Sequence, residues 1–135
     1  MRATQRADRR PARVEYLLPH GSGSAFWARR LTRAFLAGRS ADATYDAMLV
    51  VSELVANAAR IKDSHCRFSL CLNADELTVS VHDDSPRLPS LTPPPVPLYA
   101  ESGRGISLVH ALSRDLTIVA GPHGGKTVRA VLAQP

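Results

Sequence analysis

Residues 46–60 read Asp46-Ala-Met-Leu-Val-Val-Ser-Glu-Leu-Val-Ala-Asn-Ala-Ala-Arg60, and the rest of the chain is best understood outward from them. The stretch has no Gly or Pro and follows a turn-like Gly38-Arg39-Ser40. Ser40 or Asp42 can cap its start, because a short side-chain oxygen accepts from the free N–H groups of a first helical turn. At about 100° per residue, Ala47, Met48, Val51, Leu54, Val55 and Ala58 gather on one side of a helix. Glu53 and Asn57 fall one turn apart on the other side, near Asp46 and Arg60, and Leu49 and Val50 also sit on that front. A carboxylate and an amide set among apolar neighbours describe a half-buried site. The blander alternative is a polar pair on an amphipathic surface helix.

The chain around this helix has 135 residues, 44% hydrophobic and 21% charged, which suits one domain with a real core. No apolar run approaches the ~20 residues of a membrane span, and the Arg-rich start has no apolar segment behind it. Both observations point to the cytoplasm. The net charge of +5 is concentrated in residues 1–13, where five arginines face Asp8 alone; the remaining chain carries 12 basic and 11 acidic residues. Residues 1–12 therefore read as a solvated Arg-rich tail and 13–135 as the single domain. A nucleic-acid-binding domain usually shows its basic stripe on the folded part, so this distribution argues against direct nucleic-acid binding. Cys66 and Cys71 sit five apart and point to opposite faces of a strand, and no Cys or His pair has zinc-ligand spacing.

In order, Arg13–Leu18 alternates as an edge strand, and Pro19, Gly21 and Gly23 make a loop. A helix opened by Ser22 or Ser24 runs through Ala37, with Phe26, Leu31, Ala34 and Phe35 among its apolar residues, Arg29, Arg30 and Arg33 outward, and Gly38 as its stop. After the central helix, Cys66, Phe68, Leu70 and Leu72 share one face of a strand. In Glu76–Asp83, Leu77, Val79 and Val81 share the buried face, while His82 points outward. The same register puts Asp83 on the buried side, since a one-residue slip would expose the whole apolar row. A carboxylate ending such a row needs a partner: either the turn at Ser85 or a ligand that donates to it.

Six of the ten prolines fall within Pro86–Pro97, which makes that stretch an extended cover. Glu101-Ser-Gly-Arg-Gly-Ile-Ser-Leu-Val-His-Ala-Leu-Ser113 then gives a short amphipathic helix, with Gly103 and Gly105 before or in its first turn. Glycines there let backbone N–H groups approach an anion, although a Gly-x-Gly pair also serves any loop-to-helix turn. The dinucleotide fingerprint is excluded, because the third glycine and the preceding strand are missing. Asp115–Ala120 and Thr127–Ala133 form a closing hairpin across Gly121–Gly125. The fold class expected is α+β: a two-layer sandwich of a mostly antiparallel sheet with helices on one face.

This order and its motifs resemble the ATPase superfamily of DNA gyrase, histidine kinases, MutL and a heat-shock chaperone, built on the Bergerat ATP-binding fold. More closely, the chain from about Val14 onward is similar to small bacterial anti-sigma factors with serine protein kinase activity. Ser-Glu-Leu-Val-Ala-Asn-Ala at Ser52–Ala58 matches the N box of the family; the aspartate of Val-His-Asp-Asp-Ser-Pro matches the first glycine box. Gly103–Val109 matches the second and Gly124–Val128 the third. The resemblance implies ATP and Mg²⁺ as cofactors. It implies Asn57 as the metal ligand, Glu53 as the base that orients or deprotonates the attacking hydroxyl, and Asp83 as acceptor of the adenine amino group. Gly103 and Gly105 would meet the phosphates with Arg104 as a partner, and Thr127 would support the adenine end.

The sequence departs from the pattern in several places. Ser85 and Arg87 stand where glycines are usual, Lys126 where a threonine is common, Ile61 where many relatives carry histidine, and Glu101 where some kinases carry a basic residue. The implied function is an ATP-binding anti-sigma regulator that holds a sigma factor and phosphorylates a serine of an anti-anti-sigma protein of the STAS type, with a homodimer as the assembly relatives suggest. The alternatives are a catalytically silent ATP-binding interaction module and a nucleic-acid binder acting through the Arg-rich tail.

Overall fold

A computed structural model describes residues 12–19, 21, 23–60, 65–85, 104–122 and 124–135. The tail 1–11, the proline-rich segment, Ile61, Arg87, Glu101 and Gly103 lie outside the described residues, as does the side chain of Arg104. The elements run β1 (Ala12–Leu18), α1 (Gly23–Phe35), α2 (Ala41–Ala59), β2 (Cys66–Asn73), β3 (Glu76–Asp83), α3 (Arg104–Leu112), β4 (Asp115–Ala120) and β5 (Lys126–Ala133). They form an α+β fold with one five-stranded sheet in the order β1-β2-β3-β5-β4. Every strand pair is antiparallel, so β3 and β4 point the same way with β5 between them. Ala12 already pairs with Leu72, one residue before the expected domain start.

The strands follow the alternation of the sequence. Cys66, Phe68 and Leu70 of β2, Leu77, Val79 and Val81 of β3, and Val128, Ala130 and Leu132 of β5 are buried on one face. The helices cover that face, and α2 is the hub, touching α1, α3, β2, β3 and β5. Ser40 caps α2, its side chain accepting from the Ala43 N–H. The buried side of α2 is wider than the expected stripe, because the helix is packed on several sides at once. Val50, placed with the polar front by the helical wheel, is fully buried, while Met48 is only half-buried. Ala47, Val50, Val51, Leu54, Val55 and Ala58 thus make an arc of roughly 140°. Each of the larger ones contributes about 1.5–3 kcal/mol by leaving water. Asn57 and Glu53 follow along the edge of that arc, beyond Val50.

Helix α1 corrects three expectations. Its buried stripe is small and polar, Ser24, Ala28 and Thr32, which lets it lie close to its neighbours; Phe26 and Trp27 are half-exposed and Ala34 is exposed. Thr32 can be buried because its hydroxyl donates to the Ala28 carbonyl at 2.7 Å. Arg29 is not a solvated outer residue: its Nη1 donates to Ser52 Oγ of α2 at 2.8 Å. The helix ends at Phe35, two residues before Ala37, and the chain turns through Gly38 at φ +88°, a conformation that favours glycine.

Candidate functional site

Asp83 is the last residue of β3 and is almost fully buried, as the register requires. Its Oδ1 accepts from the Ser85 N–H at 2.9 Å, the turn cap expected as its structural role. The same oxygen accepts from Lys126 Nζ at 2.7 Å, and both side chains of this ion pair are buried, at 5% and 6% exposure. Asp83 Oδ2 accepts no hydrogen bond among the described residues. The nearby Cys66 thiol is pushed up to about 11, chiefly by burial and further by the Asp83 charge. It stays protonated at neutral pH and is a packing residue. Across the turn, Asp84 accepts from the His65 N–H at 2.7 Å, and that hydrogen bond, with weaker contributions from the histidine rings, lowers the Asp84 carboxyl below its usual range.

Asp83 and Lys126 line a cavity of about 90 Å³ together with Asn57, Leu54 and Ala58 of α2, Val81 of β3, Ile106 of α3 and Val128 of β5. The central helix, the end of β3 and the helix behind the glycine turn therefore share one concavity. Glu53 lies one turn before Asn57, against the start of α3. Gly105 is the second residue of that helix, and a Cβ there would overlap the Glu53 carboxylate, with its Cδ only 2.9 Å away. Glycine at 105 is what lets the carboxylate stand there, where the helix dipole favours it. A second glycine shapes the other end. Gly125, at φ +76°, passes so close to β3 that a Cβ would come within 2.5 Å of the Asp83 carbonyl oxygen.

Of the residues expected at the site, Asn57, Asp83 and Glu53 with Gly105 converge. Thr127 does not. Neighbours along a strand point to opposite faces, so Thr127 lies on the uncovered side of the sheet, where its hydroxyl and His82 Nδ1 are 3.1 Å apart. His82 is accordingly half-buried rather than a plain surface residue. The residue opposite Asp83 is Lys126, which begins β5 one position before the expected start. A signal for it was present: Val128, Ala130 and Leu132 define the buried face, and Lys126 is next in that row. Gly103 and the Arg104 side chain lie outside the described residues, so their expected phosphate contacts stay proposals.

Against this geometry, residues 24–132 match the histidine kinase-like ATPase domain. The chain belongs to that family. No curated protein matches it. The cofactor of a histidine kinase-like ATPase domain is ATP, and the residues present fit it: Oδ2 of a buried carboxylate remains for an amino group, apolar side chains flank it, and an amide stands on the adjoining helix. Among the described residues no helix is long and apolar enough to cross a membrane, and no three His, Cys, Asp or Glu side chains group as metal ligands. Asn57, an amide on the cavity wall, is the group of this site that could hold a cation together with phosphate oxygens and waters.

Proposed function

We propose that this histidine kinase-like ATPase domain is an ATP-binding anti-sigma regulatory factor of the cytoplasm. It would hold a sigma factor and transfer the γ-phosphoryl group of Mg²⁺-ATP to a serine of an anti-anti-sigma protein of the STAS type. The observation that carries this reading is the placement of Glu53. It stands one turn from Asn57, which lines the cavity with Asp83, and its carboxylate lies against Gly105 in the first turn of α3. A protein that only bound nucleotide would have no use for a carboxylate beside the metal ligand, where it repels phosphate. A kinase has one, because the serine hydroxyl must lose its proton as it attacks. The serine oxygen forms a bond to the γ-phosphorus, the bond to the β–γ bridging oxygen breaks, Glu53 takes the hydroxyl proton, and ADP leaves. Asp83 would accept from the adenine amino group, and the N–H groups at the start of α3 would hold the phosphates.

A second reading, an ATP-binding module without transfer, is favoured by one feature: Lys126 already occupies one oxygen of Asp83. The two are separated by substitution. Mg²⁺-ATP raises the melting temperature by mass action. Glu53→Ala keeps that shift and loses phosphotransfer to the serine acceptor by a factor of about 10² or more, and Asn57→Ala loses the Mg²⁺-dependent part of the shift. Full transfer by Glu53→Ala would remove Glu53 as the base, absence of any transfer by the unaltered chain would remove the kinase assignment, and no shift at millimolar ATP would remove the nucleotide.

A further inference from the structure

We infer that Lys126 is a specificity-determining residue that reads the base directly, making this site a matched acceptor–donor pair for one edge of adenine. The inference rests on the nucleotide reading above and deepens it. Lys126 lines the cavity and is buried, and its Nζ is fixed by Asp83 Oδ1 at 2.7 Å, with the Ser85 carbonyl oxygen at 3.5 Å. An ammonium has three N–H donors and no acceptor, so at least one donor remains for the cavity. Asp83 divides its work in the same way. Its Oδ1 carries Ser85 and Lys126, and its Oδ2 takes nothing among the described residues.

The cavity therefore offers, side by side, one carboxylate oxygen that only accepts and one ammonium that only donates. The complementary ligand has an amino group next to an unprotonated ring nitrogen. Adenine has that arrangement, with its 6-amino group beside N1. A threonine at 126, common in relatives, would either donate or accept, and so would leave the N1 position unspecified. Lysine removes that freedom. The ion pair also explains how the site keeps a buried carboxylate partnered and oriented before any ligand arrives.

The test uses the full chain with Mg²⁺-ATP and two analogues, 1-deaza-ATP, in which N1 is a C–H, and 7-deaza-ATP, in which the acceptor on the far edge is lost. Affinities are measured by calorimetry or by melting shift. The expected result is that 1-deaza-ATP binds about tenfold to a hundredfold more weakly than ATP, the loss expected for one hydrogen bond to a charged group. The loss for 7-deaza-ATP should be smaller. The Lys126→Met variant should bind ATP and 1-deaza-ATP within about twofold of each other. Lys126→Gln, which keeps an N–H donor without the charge, gives an intermediate ratio and serves if Lys126→Met does not fold. Equal binding of ATP and 1-deaza-ATP by the unaltered chain overturns the inference with no variant needed. Tighter ATP binding by either variant than by the unaltered chain also overturns it, since Lys126 would then be blocking Asp83. Both of those outcomes leave the nucleotide reading standing. Binding of ATP by none of the three proteins removes that reading and the inference together.

Discussion

Strand β3 carries an ion pair at each end, and the two differ in almost everything but their charges. At its first residue, Glu76 Oε2 lies 2.9 Å from Arg114 Nη1 with half of each side chain in water. At its last, Asp83 lies 2.7 Å from Lys126 with both side chains buried. The first pair is screened, and its geometry costs side-chain entropy, so it is worth little. In the second, both charges have lost their water, and their attraction roughly offsets that loss. A pair of the second kind is therefore poor evidence of stabilisation. It lines the cavity with one carboxylate oxygen left over, and the proposed recognition of the base would be made there at the expense of apolar packing.

The comparison breaks most visibly at the buried end. Asp83→Ala leaves the Lys126 charge without its partner and is expected to lower the unfolding free energy by about 3–5 kcal/mol in urea titrations. Replacing both partners, Asp83→Leu with Lys126→Met, should recover most of that loss while abolishing ATP binding. A double variant as unstable as the single one would show that the pair holds the fold rather than the ligand.

Cys66 offers a subtler gauge of the same environment, through burial first and the Asp83 charge second. Its folded value of about 11 exceeds the ordinary 9.0, so the folded chain keeps this proton when the unfolded chain has lost it. Stability from this group is complete below about pH 9 and is lost as pH rises through about 11. The loss is on the order of 2 kcal/mol and should be absent in Cys66→Ala, as read from unfolding at pH 8.5 and 10.5. If the two proteins lose stability in parallel, the thiol does not sense that environment. The smallest effect belongs to the exposed end: Glu76→Gln should cost less than about 1 kcal/mol, and added salt should shrink the difference further. A larger loss at Glu76 than at Asp83 would invert the whole contrast.

Much of this was legible in the residues. The helix at 41–59, the buried row that ends at Asp83, the hairpin over Gly121–Gly125 and the Glu53–Asn57 spacing follow from periods of 3.6 and 2 and from turn chemistry, which are local properties of a chain. The same rule of alternation, carried one residue before the expected start of the last strand, puts Lys126 in the row of Val128, Ala130 and Leu132 and Thr127 on the opposite face. The motif resemblance pointed to Thr127 instead, and the geometry of neighbouring strand residues decides against it.

What the sequence could not reach was contact between elements. That Val50 belongs to the core depends on α2 being packed from more than one side. That Phe26 is exposed while Ser24 and Thr32 are buried depends on how closely α1 lies. That Arg29 reaches Ser52, and Lys126 reaches Asp83 from 43 positions away, depends on two elements meeting. A sequence by itself fixes what each segment would bury, because that is decided by the spacing of its own side chains. Which groups then share one cavity is decided only when the segments are brought together, because burial turns a distant lysine and aspartate into neighbours that neither can leave unpaired.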